Sequence, residues 1–329
     1  MGALHRALHA MKGLTDIPGI LVGHASDYDG LTGCTAILCE SGAVAGADIR
    51  GSASGTEEFE LFDPLHLTTQ IHAVVLAGGS AFGLEAASGV RRYLEHKGVG
   101  FDTGVAVVPL VPCAILYDLG IGKASARPTR EMGEAAAAAA TTRPVAEGAV
   151  GAGTGATVGK LLGMSHAMKS GIGSAAVALE GLYAGVTVAA LAAVNAFGDV
   201  LDPEKPGVLA GARRTPGVMD FVNTARALQR GAAASFQGQN TTLVVVATNA
   251  RLTKVEATKL AQLANVGMTR SISPVHTMVD GDLVIALSHG KQHADVTALG
   301  VAAAEAVGQA IVRAVRLAPS LGGLPGLHQ

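Results

Sequence analysis

Residues 237–250 read QGQNTTLVVVATNA, and the rest of the chain can be organised around this stretch. From Thr241 onward, the apolar and β-branched residues have the β-propensity and length of a buried strand. Upstream, residues 202–239 are polar and contain glycine and proline in DPEKPG and GAAASFQGQ, which predicts an exposed linker. The Asn240-Thr241 bond therefore lies where a loop enters a rigid strand.

The Asn240-Thr241-Thr242 triplet is open to three interpretations from its residues alone. It can be a polar strand cap, or a glycosylation site, which requires a secretory route that the sequence does not signal. In the third interpretation, the Thr241 hydroxyl attacks the Asn240 carbonyl, an ester forms, and its hydrolysis leaves Thr241 as a new N-terminus. The freed α-amine then acts as general base for the hydroxyl of the same residue.

Composition narrows the class of protein. Of 329 residues, 49% are hydrophobic and 15% are charged, which excludes a disordered chain. The 24 basic and 26 acidic residues create no field that attracts nucleic acid or an anionic membrane, so we expect small molecules or further copies of the chain as partners. A core of Ala, Val, Leu and Gly without tryptophan favours layered α/β packing and extensive subunit contacts.

The N-terminus and the cysteines bear on the compartment. Residues 1–13 carry charges and lack a continuous apolar segment, so they predict a flexible extension rather than a secretion signal. Cys34, Cys39 and Cys113 form no C-x-x-C pair, which favours a reducing environment. No uninterrupted apolar span of 18 residues predicts a transmembrane helix. We therefore expect a cytoplasmic protein.

Strands and helices alternate along the chain. Residues 33–39 and 71–79 predict strands, as do residues 182–198, whose strand should end near Asn195. Helices are predicted over residues 80–98, with a terminal glycine cap, over the alanine-rich residues 129–143, and over residues 296–318. This order predicts an α/β fold.

Two further elements follow the opening stretch. Residues 252–267 predict a helix with Thr253 as N-cap, Glu256 completing a capping box, and Gly267 as C-cap. Residues 273–290, SPVHTMVDGDLVIALSHG, predict a hairpin that turns at Asp280-Gly281.

The other candidate motifs have weaker functional content. LAGGSAFGLEA, residues 76–86, matches neither a phosphate loop nor a nucleophile elbow and predicts a strand-to-helix turn. In GAGTGATVGKLLG, residues 151–163, Thr154 stands where a Walker motif needs its first glycine. His289 and His293 are four apart, but Gly290 weakens a helix and no H-E-x-x-H motif is present. We expect neither a cofactor nor a metal.

Taken in order, the motifs of the whole chain from about Leu14 onward resemble those of the P1 family of peptidases. That family includes L-aminopeptidase/D-esterase enzymes, β-peptidyl aminopeptidases and nylon-oligomer hydrolases. The motifs are LTDIPGILVGHASD, GCTAILCESGAVAGADIRG, LAGGSAFGLEAASGVRRYLE, VPCAILYDLGIG, VGAGTGATVGK, NTTLVVVATNARLTKVEATKLA and HTMVDGDLVIALSHG.

The resemblance implies a four-layered α/β/β/α sandwich of the N-terminal-nucleophile type. Residues 14–329 would form one hydrolase domain, cleaved by itself between Asn240 and Thr241 into chains of residues 1–240 and 241–329. The two chains would stay together, and the heterodimers would assemble into homo-oligomers, often tetramers.

The resemblance also implies roles for six residues. Thr241 would be the nucleophile, with its own amine as base, and Asn195 would donate to the oxyanion with help from Tyr117. Lys160 would lie near the nucleophile and ease deprotonation of its amine by like-charge repulsion.

Asp280 and Asp282 match an acidic pair of the nylon-hydrolase branch, where the pair orients the amine and hydroxyl of the nucleophile. The combination of N-T-T with D-G-D lies closer to that branch than to the aminopeptidases, which place Ser and Glu in this turn. The implied activity is hydrolysis of linear amides, either short peptides or 6-aminohexanoate-type oligomers. Acyl transfer of the ornithine-acetyltransferase type and a non-catalytic small-molecule or nucleotide-binding protein are the alternatives.

Overall fold

The computed structural model describes residues 13–204, 206–233 and 240–328, so residues 1–12 of the predicted N-terminal extension and residues 234–239 before Asn240 lie outside the described part. The strands are β1 (Leu21–Asp27), β2 (Thr32–Ile49), β3 (Thr56–Glu57), β4 (Gln70–Ala77), β5 (Phe101–Asp102), β6 (Val107–Val108), β7 (Cys113–Ile115), β8 (Thr157–Val158), β9 (Met168–Lys169), β10 (Ile172–Ala178), β11 (Thr187–Asn195), β12 (Asp199–Leu201), β13 (Val208–Ala210), β14 (Thr241–Ala250), β15 (Ile272–Ser273) and β16 (Leu283–Gln292). The helices are α1 (Glu85–His96), α2 (Arg130–Ala138), α3 (Thr224–Gln229), α4 (Lys254–Ser271) and α5 (Val296–Arg316).

One hydrogen-bonded sheet forms the centre, in the order β10-β11-β14-β16-β2-β4-β7-β3, with β1 also paired to β2. Strand β2 is 18 residues long and belongs to both halves of this sheet. Its first half pairs with β1 and β4, and its second half pairs with β16. The register with β4 shifts between Leu38 and Ala43, and such irregularities bend a strand.

The two halves of the sheet pack face to face. On β14, Leu243 and Val245 point into an inter-sheet core that also contains Val74 and Leu76 of β4. The alternate residue Val244 points the other way, into the core beneath α4 and α5. The period of two along a strand thus supplies both cores from one run of apolar residues.

The second half of the sheet is covered in the same way. Ala73 and Val75 of β4 pack with Val90 of α1 and Ala136 of α2, on the face opposite the inter-sheet core. The layers are therefore α4 and α5, one half-sheet, the other half-sheet, and α1 and α2. This arrangement confirms the predicted four-layered α/β/β/α sandwich.

Helix α4 begins as the sequence predicts and ends later. Thr253 and Glu256 form the full capping box. The predicted C-cap at Gly267 is wrong, because the helix continues through Ser271. A Cβ on Gly267 would lie 2.2 Å from the carbonyl oxygen of Ala304 in α5, so this glycine permits close helix packing rather than ending a helix.

The predicted hairpin over residues 273–290 is also wrong. Strand β15 pairs with β12, whereas β16 pairs parallel to β14 and antiparallel to β2. Asp280 and Gly281 lie in a loop that ends beside the start of β14. Strands β15 and β16 thus pair with strands that are distant in sequence and not with each other.

The predicted linker over residues 202–239 contains regular structure in its described part, namely β13 and α3. The carboxylate of Asp199 attaches this segment to the core, because it accepts hydrogen bonds from the backbone N–H groups of Ala212 and Thr224 at 2.9 and 2.6 Å. The predicted strand ending at Asn195 and the predicted C-terminal helix are confirmed as β11 and α5.

Helix α5 is long and apolar enough to cross a membrane by length and composition alone. However, 72% of its most apolar window is buried inside the protein, as expected for a core helix that packs beside α4 and on the sheet. The three cysteines are free and buried.

Candidate active site

The Asn240-Thr241 bond lies at the start of β14, beside the end of the adjacent strand β11. Strand β11 ends at Asn195, and the antiparallel register pairs Asn195 with Thr241, the first residue of β14. Thr241 is 1% exposed, and Asn195 is fully buried. The sheet therefore brings the predicted nucleophile and the predicted oxyanion donor together.

The carbonyl of Asn240 is held by two donors. The Thr241 hydroxyl donates to its oxygen at 2.5 Å, and the N–H of Gly281 donates to the same oxygen at 2.6 Å. The N–H of Asn240 donates to the carbonyl of Val279 at 2.8 Å. Two donors on one carbonyl oxygen polarise the bond and favour negative charge on that oxygen.

Gly281 is packed against the nucleophile from the other side. A Cβ at this position would lie 2.7 Å from Thr241 Oγ1 and 2.7 Å from the carbonyl oxygen of Ala53. The flanking backbone is fixed to the end of β2, because the N–H of Ala53 donates to the carbonyl of Asp280 at 2.9 Å. The sequence suggested a turn glycine here, whereas the structure places its backbone against the Asn240-Thr241 bond.

The carboxylate of Asp282 fixes the backbone on either side of this loop. It accepts from the N–H of Thr242 at 2.6 Å and from the N–H of His276 at 2.9 Å. The His276 ring lies 3.2 Å from the same carboxylate. Asp282 therefore holds the residue next to Thr241, rather than Thr241 itself.

Asp280 bonds to a different set of groups. It accepts from the N–H of Phe197 at 3.2 Å and from the N–H of Thr277 at 3.2 Å, and the Thr277 hydroxyl also donates to it. Burial and the negative charge of Asp282 raise the pKa of this carboxyl. Asp280 thus connects the loop to the segment that follows β11.

The Asn195 side chain is oriented by contacts at both ends. Its Oδ1 accepts from Lys160 Nζ at 2.8 Å and from the N–H of Thr157 at 3.0 Å. Its Nδ2 donates to the carbonyl of Tyr117 at 2.8 Å. An amide nitrogen carries two hydrogens, so one remains for another acceptor.

Lys160 is fully enclosed beside Asn195. Its Nζ donates to the backbone and side-chain oxygens of Asn195 at 2.9 and 2.8 Å. Burial lowers the pKa of Lys160 to about 7, opposed by the negative charges of Asp280, Asp118 and Asp282. This amine can therefore change its charge near neutral pH.

Tyr117 contributes its backbone to this arrangement. Its carbonyl accepts the Asn195 amide, while its partly exposed side chain lines a small cleft. The cleft is lined by Tyr117, Asp118, Gly120, Ile121, Gly155, Thr157, Lys160 and Met164.

Several residues of the site cannot be predicted from the sequence. Gly281, Asp118, His276 and Lys169 carry no local pattern that separates them from ordinary loop or strand residues. Lys169 is fully buried, and its Nζ donates to the backbone carbonyls of Gly153, Ala156 and Ser170. Burial lowers its pKa to about 7.

Of the two histidines four residues apart, His289 has other contacts. His289 lies 2.7 Å from the carbonyl oxygen of Pro18 and 2.8 Å from the hydroxyl of Ser41. Within the described residues, no group of three or more His, Cys, Asp or Glu side chains is arranged to hold a metal ion.

Comparison with known proteins identifies a family that matches almost the whole chain. Residues 12–328 match the model of peptidase family S58. The chain is 38% identical over 350 residues to an uncharacterized aminopeptidase of Mycobacterium bovis, covering 96% of each protein. It is 31% identical over 321 residues to a 6-aminohexanoate-oligomer endohydrolase of Kocuria sp., covering 92% of this chain and 85% of the relative.

Solved structures agree on the fold. A Burkholderia sp. beta-aminopeptidase superposes with a TM-score of 0.70 at 24% identity, covering 97% of this chain and 91% of that one. The L-aminopeptidase D-Ala-esterase/amidase of Ochrobactrum anthropi, described as a new variant of the Ntn hydrolase fold, gives a TM-score of 0.71 at 21% identity, covering 95% and 88%. The fold, the near-complete family match and the relatives together show that the chain belongs to peptidase family S58 and is an amide hydrolase.

Proposed function

We propose that this amide hydrolase activates itself by cleaving the Asn240-Thr241 bond and then uses Thr241 as an N-terminal nucleophile. One observation carries the proposal: the Asn240 carbonyl oxygen lies between the Thr241 hydroxyl and the Gly281 N–H. A hydroxyl next to a polarised carbonyl is the arrangement that an acyl shift from nitrogen to oxygen requires.

The processing step breaks one bond and forms another. Thr241 Oγ1 attacks the carbonyl carbon of Asn240, and the Gly281 N–H stabilises the negative oxygen. The hydroxyl proton passes to the amide nitrogen, the carbon–nitrogen bond breaks, and an ester remains. Water then cleaves the ester, which leaves a carboxylate on Asn240 and a free α-amine on Thr241.

The mature enzyme repeats this chemistry on a substrate. The α-amine of Thr241 accepts the proton of the hydroxyl, which attacks the substrate carbonyl. The protonated α-amine then gives this proton to the substrate nitrogen, the substrate C–N bond breaks, the amine product leaves, and the acyl-enzyme remains. The remaining N–H of Asn195 Nδ2 donates to the oxyanion, with Tyr117 assisting, and donors of this kind are worth about 3–4 kcal/mol each. Water then releases the acyl group, and the same amine acts as base.

The buried charges support these roles. Lys160, held on Asn195, places a positive charge near the strand start and so disfavours protonation of the Thr241 amine. Asp282 fixes the N–H of Thr242, and Asp280 fixes the segment after Asn195, so both acids orient the two strand ends.

The proposed substrates are linear amides, namely short peptides or 6-aminohexanoate-type oligomers. Support comes from the aminopeptidase and 6-aminohexanoate-oligomer endohydrolase relatives and from the D-G-D loop. A peptide is the favoured physiological substrate. Mass spectrometry of the products from a panel of α-, β- and ω-amino-acid oligomers identifies the preferred class and separates terminal from internal cleavage.

The proposed assembly is a cytoplasmic homotetramer of processed heterodimers. Its support is the apolar, alanine-rich composition and the absence of C-x-x-C pairs in the sequence. Size-exclusion chromatography with light scattering tests the tetramer; a monomeric mass for active enzyme contradicts it.

A denaturing gel tests self-processing. The purified wild type should give two chains, corresponding to residues 1–240 and 241–329, and Thr241→Ala should give one chain without amidase activity. Thr241→Ser, which keeps a hydroxyl, should still be processed.

Thr242→Val is the matched control, because it removes the neighbouring hydroxyl with little change of shape. That hydroxyl has no hydrogen-bond partner among the described residues. The control should give two chains. An active wild type that remains intact, or amidase activity in Thr241→Ala, would end the nucleophile assignment.

A further inference from the structure

Asp118 is a buried carboxylate to which the proposed reaction assigns no role. It is 4% exposed and directly follows Tyr117. One of its oxygens accepts from the N–H of Gly79 at 2.6 Å, and the other accepts from the Thr32 hydroxyl at 2.7 Å. Burial raises its pKa to about 6, because the charged form of a carboxyl is less stable away from water.

The two hydrogen bonds join three separate parts of the fold. Thr32 begins β2, Gly79 follows β4, and Asp118 lies beyond β7. A Cβ on Gly78 would lie 2.1 Å from the Asp118 carboxylate, so a glycine is needed for this approach. The N–H of Ser80 also donates to the carbonyl of Leu116 at 3.0 Å. Residues 116–118 are thereby fixed on both sides of Tyr117.

The fixed segment touches the proposed oxyanion donor. The Tyr117 carbonyl accepts one hydrogen of Asn195 Nδ2 at 2.8 Å. The direction of this bond determines where the second hydrogen points, because the amide group is planar. Any shift of residues 116–118 would therefore turn the remaining N–H away from the oxyanion.

We propose that Asp118 is a positioning residue, which holds the Tyr117 carbonyl against Asn195 and so aims the Asn195 amide at the substrate oxyanion. The proposal rests on the proposed function, in which Asn195 is the oxyanion donor. Asp118 does not touch the reacting atoms. It acts through the hydrogen bonds that its carboxylate accepts from the Thr32 hydroxyl and the Gly79 N–H.

A double-mutant cycle tests this dependence. Asp118→Ala, Asn195→Ala and the double variant are compared on a small chromogenic amide, with kcat and KM measured separately on processed enzyme. Asp118→Ala should lower kcat by about 10- to 100-fold with little change in KM, the size expected from a misplaced catalytic group. Once Asn195 is gone, removing Asp118 should cost nothing more.

The outcomes separate the two proposals. If the losses multiply in the double variant, Asp118 does not act through Asn195 and the positioning proposal is overturned, while the oxyanion role stands. If Asn195→Ala alone keeps wild-type turnover, the oxyanion role fails, and the positioning proposal fails with it.

The conservative variant distinguishes geometry from charge. The amide of Asp118→Asn can accept from the Gly79 N–H and donate to the Thr32 hydroxyl, so the variant should retain most of kcat at its pH optimum. Asp118 also stabilises the charged form of Lys160, so loss of its charge should move the pH profile to lower pH without lowering the maximal kcat. An Asp118→Asn variant whose maximal kcat is as low as that of the alanine variant assigns the effect to charge and overturns the proposal.

Thr32→Val removes one of the two hydrogen bonds with little change in volume. It replaces Asp118→Ala in the cycle if thermal unfolding shows that the alanine variant does not fold. A smaller loss of kcat is expected, again absent in the Asn195→Ala background, and a loss that persists there counts against the proposal.

Discussion

The N–H of Gly281 lies 2.6 Å from the carbonyl oxygen of Asn240, on the bond that precedes the first residue of β14. The two residues are 41 positions apart, and the parallel bridge between Asn240 and Asp280 brings them together. The loop after β15 thus supplies a backbone donor to the bond at which we place self-cleavage. Backbone donors are suited to this task because they are rigid and cannot be displaced by a rotamer change.

Gly281→Ala should slow self-processing. The added Cβ would lie 2.7 Å from both Thr241 Oγ1 and the Ala53 carbonyl oxygen, so the loop or the hydroxyl has to move. We expect the rate of chain cleavage to fall by about 10- to 100-fold, as for other misplaced reacting groups. The measurement is a time course of cleavage on denaturing gels after synthesis in a cell-free system.

Met278→Ala is the control for that loop, since its side chain is 80% exposed. It should be processed at the wild-type rate. Wild-type processing of Gly281→Ala would mean that the loop accommodates the added Cβ and that the close packing of Gly281 against Thr241 is not needed for cleavage.

Asn195→Ala should fold and lose turnover. The substitution removes the amide N–H proposed for the oxyanion, and the Lys160 amine keeps the backbone carbonyl of residue 195 as an acceptor. We expect kcat to fall by about 100-fold or more, with a smaller change in KM. Steady-state kinetics check the rate, and circular dichroism checks the fold. Unchanged kcat in a folded, processed variant refutes the role.

Stability should rise with pH because of Lys169. Its pKa is about 7 in the folded protein and near 10.5 when exposed, so between these values the unfolded chain binds more protons. The free energy of unfolding therefore increases from pH 7 toward pH 10.5 and is lowest, as far as this group is concerned, below pH 7. Thermal unfolding at pH 7 and pH 9.5 measures the difference.

Lys169→Met should show a smaller increase over the same pH range, although the variant is less stable throughout because three carbonyls lose their donor. The increase that remains is expected from Lys160, whose pKa is lowered in the same direction. Equal increases in wild type and variant would mean that folding does not lower the pKa of Lys169.

Gly267→Ala should destabilise the contact between α4 and α5. Its Cβ would meet the backbone carbonyl of Ala304 at 2.2 Å, which cannot yield without moving a helix. Overpacking of this kind costs about 1–3 kcal/mol of unfolding free energy. Denaturant unfolding in the Thr241→Ala background measures it on one continuous chain.

Gly308→Ala in α5 is the matched substitution. Its Cβ would only approach the Ser271 hydroxyl, at 3.2 Å, and alanine favours a helix over glycine by about 1 kcal/mol. It should stay within about 1 kcal/mol of the parent. If both variants are equally stable, the close approach at Gly267 is not what holds the helices together.

Much of the fold was predictable because it depends on local chemistry. The β-branched run after Asn240, the capping box at Thr253 and the apolar period of α5 each specify an element from neighbouring residues. The resemblance of ordered motifs added the layered arrangement and placed Thr241 and Asn195 at one site. A strand ending at Asn195 and another beginning at Thr241 are visible in the sequence itself.

The hairpin prediction is wrong for a physical reason. Asp280-Gly281 is a favourable local turn, but β16 gains a full-length parallel partner in β14 and an antiparallel one in β2. Those pairings satisfy both edges of β16, and the cores on either side of the sheet bury both of its faces, which a two-stranded hairpin cannot do. Likewise, Gly267 resembles a C-cap in the sequence, because the local pattern gives no information about α5, the helix that packs against it.

By itself, the sequence determined the main strands and helices, the small-residue composition that lets them stack, and the position of a threonine where a loop meets a strand. Only the tertiary structure decided what surrounds that threonine: the Gly281 N–H, the Lys160 and Tyr117 contacts that orient Asn195, and the Asp118 carboxylate behind them. Local periodicity records which face of an element is apolar. Hydrogen bonds between residues tens of positions apart depend on the register and bending of the whole sheet, and no short stretch of sequence encodes them.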